Sequence, residues 1–70
     1  LSAPDNVAKL TRKEIEILHF ILSGMTNTEI SDRLGKSKRT IETHRFNLMK
    51  KMNVKNLIEL YSKAKELGFS

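Results

Sequence analysis

The chain has 70 residues, of which 39% are apolar and 30% charged, and its formal net charge at pH 7 is +5. This length allows one domain at most, and because the sequence has no cysteine, disulfides and cysteine-based zinc sites are excluded. No apolar run approaches the ~18 residues of a membrane span and no signal peptide is visible, so we expect a cytoplasmic protein whose basic charge favours a polyanionic partner.

The first nine residues are polar and contain the single proline, Pro4. Because the chain starts at Leu1 rather than at a methionine, we expect residues 1–9 to be a linker from a missing N-terminal domain. One folded domain is then expected over residues 10–70.

Four helices are predicted, and no strand-like alternation of useful length appears. Thr11 with Glu14, and Thr26 with Glu29, are capping boxes, in which the two residues satisfy each other's backbone N–H groups. They predict the starts of the first and second helices. Glycine, which adopts the left-handed conformation of a helix end, follows the first, second and fourth helices: Gly24, Gly35 and Gly68.

The third predicted helix follows the N-cap residue Ser37 and covers about residues 38–52, and the fourth follows Asn56 and ends at about Leu67. Apolar residues recur at intervals of three and four along the fourth helix: Leu57, Leu60, Tyr61, Ala64 and Leu67. The fold class predicted is therefore all-α, a compact four-helix bundle with short connections.

Positive charge is concentrated in residues 36–55, which contain seven basic residues and one acid, Glu42. The rest of the chain is close to neutral. A basic helix entered from a short helix through a tight turn is typical of a DNA-reading helix-turn-helix.

A helical wheel gives the third helix two faces. Ile41, Leu48 and Met52 cluster on one side, with Met49 nearby, and predict the core face. The opposite side carries polar, charged and aromatic groups that can contact base edges in a major groove: Arg39, Thr43, Phe46 and Lys50, flanked by Glu42 and Asn47.

Two clusters are suited to phosphate contacts. The first surrounds the start of the third helix, where backbone N–H groups and the helix dipole favour anions: Lys36, Ser37, Lys38 and Thr40. The second lies further along: Lys50, Lys51 and Lys55. Structural alternatives stay open, since Glu42 can pair with Arg45, His44 can pack at the core boundary, and Tyr61 can close the bundle.

The sequence resembles the C-terminal DNA-binding domain of LuxR/NarL/FixJ-type bacterial transcription regulators over about residues 10–69. The segments that carry the resemblance are LTRKE (10–14), GMTNTEIS (24–31), SKRTIETHR (37–45), NLMKKM (47–52) and VKN (54–56). The ETHR and VKN runs are most similar to response regulators of two-component systems, in which the domain is fused to a phosphorylation-controlled receiver domain.

This resemblance implies that the second and third helices form a helix-turn-helix and that the fourth supports dimerisation. It implies base contacts at Glu42, Thr43 and Phe46, with Arg45 as a further candidate. It implies contacts to the DNA backbone near Asn27, Lys38, Arg39, Thr40, His44, Lys50 and Lys51. Phe46 stands where smaller or polar residues are common, so the family's base preference does not transfer there, whereas Lys13 in place of a frequent Arg changes little.

The leading hypothesis is sequence-specific binding of double-stranded DNA as the output domain of a transcription regulator. A sigma-factor region-4-like domain, which contacts promoter DNA and RNA polymerase, is the alternative, and a pure interaction module is a third. One side of the fourth helix offers candidates for a homodimer contact on DNA: Ile58, Tyr61 and Lys65.

No nucleophile–base pair, phosphate-binding loop or metal cluster is visible, so we expect no enzyme, cofactor, metal or small-molecule ligand. We expect no membrane contact either. RNA polymerase is a further candidate partner, and binding to DNA would place the protein at the bacterial nucleoid.

Overall fold

A computed structural model describes residues 10–69, which form four α-helices and contain no strand. The helices are α1 (Arg12–Leu22), α2 (Asn27–Leu34), α3 (Lys38–Met52) and α4 (Leu57–Glu66). The predicted all-α, four-helix architecture is confirmed. The predicted linker of residues 1–9 lies outside the described residues. None of these four helices combines the length and the apolar character needed to cross a membrane.

Each helix begins at the N-cap residue that the sequence predicts. The N-cap side chain accepts a hydrogen bond from the backbone N–H three residues later at Thr11, Thr26, Ser37 and Asn56. Both capping boxes are complete, since Glu14 and Glu29 accept in turn from the backbone N–H groups of Thr11 and Thr26. Each such cap contributes about 1 kcal/mol to stability.

A left-handed glycine marks the end of α2, but a different residue type ends α3. Gly35 ends α2 with a φ of 65°, and the next N–H, of Lys36, donates to the Ser31 carbonyl at 3.0 Å. α3 ends at Asn53, whose φ of 59° is also left-handed. Asparagine tolerates this conformation better than most residues, so a search for glycines alone misses the end of α3.

The core lies where α3 packs against α1 and α2, and α4 closes it. The predicted core face of α3 is confirmed, because Ile41, Leu48 and Met52 are all fully buried. They pack with Ile17, Leu18 and Ile21 of α1, Ile30 of α2, and Leu60 and Ala64 of α4. The apolar stripe of α4 is buried at Leu60 and Ala64, whereas Leu57 and Tyr61 are 40% and 41% exposed at the rim of a surface groove beside the start of α2.

Three polar contacts between distant parts of the chain hold the helices in place. Lys51 binds Glu14, and Arg45 binds Asn27, so α3 is tied to both α1 and α2. The Tyr61 hydroxyl donates to the Ile21 carbonyl at 3.0 Å, so α4 is tied to the end of α1. The position of α3 is therefore fixed by polar bonds as well as by apolar packing.

Candidate nucleic-acid interface

α2 and α3 are joined by a turn of three residues, 35–37. The left-handed Gly35 reverses the chain, and Ser37 starts α3 by accepting from the Thr40 N–H at 3.1 Å. The hydroxyls of Ser37 and Thr40 also lie 3.0 Å apart, within hydrogen-bond distance. The start of α3 is thus a hydrogen-bonded turn, and its first two backbone N–H groups, those of Lys38 and Arg39, have no carbonyl partner within the helix.

The outer face of α3 is exposed as predicted. Thr43 and Phe46 are both exposed, and Phe46 retains 67% of its accessible surface. Four side chains spaced three and four residues apart line one shallow hollow on this face, which we call the reading face: Arg39, Glu42, Thr43 and Phe46. It combines a guanidinium, a carboxylate, a hydroxyl and an aromatic ring, so it offers both donors and acceptors together with an apolar group.

Lysines lie at both ends of α3. Lys36 and Lys38 are exposed at its start, and Lys50 and Lys55 are exposed near and beyond its end. At a rise of about 1.5 Å per residue, Lys38 and Lys50 are separated by about 18 Å along the helix axis. Two separate clusters of exposed positive charge therefore flank the reading face.

Arg45 lies beside the reading face rather than on it. Its Nη1 donates to Oδ1 of Asn27, the first residue of α2, at 2.6 Å, and its side chain is half-buried. The alternative pairing with Glu42 is not among the ion pairs between described residues. This bond occupies one of the five N–H donors of the Arg45 guanidinium and ties α3 to α2, so base reading by Arg45 stays a prediction beside this structural role.

Lys51 also has a partner inside the domain. Its Nζ lies 2.8 Å from Oε1 of Glu14, a carboxylate that is only 4% exposed and also accepts from the Thr11 N–H. Burial raises the pKa of Glu14, but the hydrogen bonds from Lys51 and Thr11 and the Lys51 charge outweigh it, so the pKa lies below its ordinary value of 4.5. Lys51 thus has a structural role at the α1–α3 contact, and phosphate binding by Lys51 and by its exposed neighbour Lys50 stays a prediction.

The remaining backbone-contact candidates are placed unevenly. Lys38 and Arg39 are exposed, whereas Thr40 is half-buried and bonded to Ser37. His44 is half-buried at the edge of α3, where the sequence left boundary packing as its alternative. These positions lie on or beside the first half of α3, as Asn27 does at the adjoining start of α2.

The outer surface of α4 carries an exposed apolar group, here called the α4 patch: Leu57, Ile58 and Tyr61. Ile58 is 80% exposed, and Tyr61 is 41% exposed although its hydroxyl is bonded to α1. Tyr61 therefore closes the bundle with its polar end and leaves part of its ring accessible. Lys65, the third dimerisation candidate, is exposed one turn further on.

Comparison with known proteins identifies a family of bacterial regulatory proteins and relatives that are named as regulators. Residues 8–64 match the family model described as bacterial regulatory proteins, luxR family. The chain is 48% identical over 60 residues to the uncharacterized response regulatory protein YgeK of Escherichia coli strain K12, covering 86% of this chain and 41% of that protein.

Two further relatives carry more specific names. The oxygen regulatory protein NreC of Staphylococcus carnosus is 38% identical over 71 residues, covering 97% of this chain and 33% of NreC. The DNA-binding transcriptional activator EvgA of Escherichia coli strain K12 is 34% identical over 55 residues, covering 79% of this chain and 27% of EvgA. The chain thus spans less than half the length of these relatives, and no solved structure matches it.

Proposed function

Because the chain belongs to the luxR family of bacterial regulatory proteins and is a helix-turn-helix domain that binds DNA, we propose that it is the output domain of a response regulator. In this role α3 lies in the major groove and its reading face selects the operator. A sigma-factor domain is not favoured, because the family model and the relatives are regulators. We propose no catalytic activity.

One observation carries this proposal: α3 buries one edge completely and leaves the other free of the fold. Ile41, Leu48 and Met52 anchor the helix, while Thr43 and Phe46 face outward. The outward groups are those that distinguish base pairs, since carboxylates accept from cytosine or adenine amino groups and guanidinium groups donate to guanine. A rigid helix that presents such groups can match a base sequence without refolding.

The charge around this face supplies the affinity. Exposed lysines at each end of α3 would neutralise phosphates on either side of the groove, and each neutralised phosphate releases counterions. The start of α3 adds outward backbone N–H groups and the positive end of the helix dipole. Exposed surface lysines bind all sequences alike, so specificity must come from the reading face between them.

Pairing of two copies through the α4 patch is part of the proposal. Ile58 exposes most of an apolar side chain beside the Tyr61 ring, and an isologous contact of two such patches would place two α3 helices on adjacent half-sites. RNA polymerase is proposed as a partner of the DNA-bound protein, which would be found on the nucleoid in the bacterial cytoplasm.

Binding to duplexes selected from a random pool tests the DNA-binding role. We expect log Kd to depend steeply on log salt, with a slope of about 0.9 for each phosphate neutralised. Lys50→Ala should weaken binding to all sequences and lower this slope by about one, whereas Thr43→Ala should mainly relax specificity. The control is Lys63→Ala, which removes the same charge from a half-buried position on α4, and melting curves check that its fold is unchanged. If the pool enriches no sequence, or if Lys50→Ala and Lys63→Ala behave alike, the proposed interface is wrong.

Sedimentation with and without a selected duplex tests pairing. We expect two copies on a duplex with two half-sites, and Ile58→Lys should reduce this to one copy without changing binding to a single half-site. If Ile58→Lys still binds such a duplex as two copies, as the unsubstituted chain does, the α4 patch is not the surface through which the copies pair.

A further inference from the structure

Phe46 is the one exposed large apolar side chain that the described residues place on the reading face. The other three such side chains form the α4 patch. Phe46 belongs neither to the buried core nor to the half-buried apolar residues that pack against it. The fold therefore gives this ring no packing role.

The side chains around the Phe46 ring indicate which part of a DNA groove it would face. On one side it shares the reading-face hollow with Glu42 and Thr43. On the other side it borders a second hollow, whose lining includes Lys50 and Lys55. The ring thus borders both the polar groups of the reading face and the lysines suited to phosphates, and with α3 in a major groove it would face base edges together with Glu42 and Thr43.

In the major groove, a phenyl ring can distinguish bases favourably only through an apolar contact. It has no donor or acceptor, so a contact with a base amino or carbonyl group desolvates that group without replacing its hydrogen bond. The single apolar group on the major-groove edges of the four unmodified bases is the C5 methyl of thymine. The Thr43 side chain, three residues before Phe46 on the same face, adds a methyl of its own.

We propose that Phe46, together with the methyl of Thr43, is a specificity-determining contact for the C5 methyl group of a thymine in the operator. This inference rests on the proposed function, because it requires α3 to lie in the major groove. Glu42, one turn earlier, then accepts from the amino group of a neighbouring adenine or cytosine. The operator is accordingly expected to contain a thymine at a fixed position next to such a base in each half-site.

Deoxyuridine substitution tests this contact, since it removes only the methyl group and keeps base pairing. In the duplex enriched from the pool, each thymine is replaced singly by deoxyuridine and Kd is measured for the 70-residue chain. We expect one thymine, or two adjacent ones, to lose about fourfold in affinity, the factor that corresponds to one buried methyl group. Substitution at the remaining thymines should leave Kd unchanged.

Variants at position 46 assign the effect to the ring. Phe46→Ala should bind the thymine duplex more weakly and lose most of the discrimination between the thymine and deoxyuridine duplexes, with a remainder due to the Thr43 methyl. Phe46→Leu, which restores an apolar contact, should recover part of the discrimination. Since Phe46 is exposed, neither change should alter thermal unfolding, and melting curves check this.

The outcomes separate this inference from the proposed function. If a duplex is enriched but no deoxyuridine weakens binding, or if Phe46→Ala keeps the same discrimination, the methyl contact is wrong and DNA binding stands. If no duplex is enriched, both are wrong.

Discussion

The inner and outer edges of α3 belong to one helix of fifteen residues but differ in the chemistry and burial of their side chains. The inner edge is apolar and fully buried, and the spacing of its side chains alone identifies them. The outer edge is charged, polar and aromatic, and its reading face takes no part in the core. The inner edge therefore specifies the fold, whereas the outer edge is available for function.

Between these edges lies a third group, of charged residues that serve the fold. Lys51 and Arg45 have the composition of a DNA-binding surface, yet each is bonded to another helix. Adjacent residues on one helix can thus differ in their surroundings: Lys51 is paired with Glu14, whereas Lys50 is exposed and is proposed to contact DNA. Positive charge by itself does not distinguish them.

The largest effect on stability is expected when one alanine substitution on the inner edge of α3 is compared with one on its outer edge. Ile41→Ala removes a fully buried side chain and should lower the free energy of unfolding by about 2–5 kcal/mol. Thr43→Ala, two residues on, should change it by no more than about 0.5 kcal/mol because Thr43 is exposed. Thermal melts measure both. A comparable loss of stability in Thr43→Ala would mean that the outer edge also supports the fold.

The adjacent lysines give the next largest contrast. Lys51→Met leaves Glu14 buried without its cationic partner and should destabilise the domain by about 1–3 kcal/mol. Lys50→Met should leave stability within about 0.5 kcal/mol of the unsubstituted chain and weaken DNA binding instead. Melts and binding titrations on both variants decide the assignment, which is reversed if Lys51→Met affects only DNA binding.

The sequence predicts local features well and contacts between distant residues poorly. Thr11 with Glu14, and Ile41 with Leu48 and Met52, are patterns within one helix, so spacing is enough to identify them. The partners Lys51 and Glu14 are 37 positions apart, and Arg45 and Asn27 are 18 apart. No periodicity links such residues, and only the packing of the helices brings them together.

The exposure of Leu57 and of the Tyr61 ring has a similar cause. Their spacing on α4 matches the buried Leu60 and Ala64, but the width of the buried stripe depends on how far α1 and α3 cover α4. Whether the reading face contacts particular bases remains a prediction, since the chemistry of its side chains limits the choice without fixing it.

A smaller effect is expected at the bond between Arg45 and Asn27. Arg45→Ala and Asn27→Ala should each destabilise the domain, and a double-mutant cycle should give a coupling of about 0.5–1.5 kcal/mol. Arg45→Ala should weaken DNA binding without changing which duplexes are preferred. If Arg45→Ala preferred different duplexes from the unsubstituted chain, Arg45 would itself contribute to base reading.

The smallest effect concerns pH. The pKa of Glu14 in the folded protein lies below 4.5, its value without these contacts, so the unfolded chain takes up the proton first as pH falls. The stability that Glu14 contributes is therefore fully present above pH 4.5 and is lost as pH falls through the folded pKa. Chemical unfolding across this range should show a steeper loss in the unsubstituted chain than in Glu14→Gln, and equal slopes would contradict the assignment.

The most direct test of the division between the two edges of α3 is an NMR titration of the ¹⁵N-labelled chain with a selected duplex. We expect the largest amide shifts around the turn at 35–37 and at Arg39, Glu42, Thr43, Phe46 and Lys50, with the second half of α1 nearly unchanged. Shifts concentrated on α1, or none along the outer edge of α3 at saturating duplex, would contradict the claim that this edge contacts DNA.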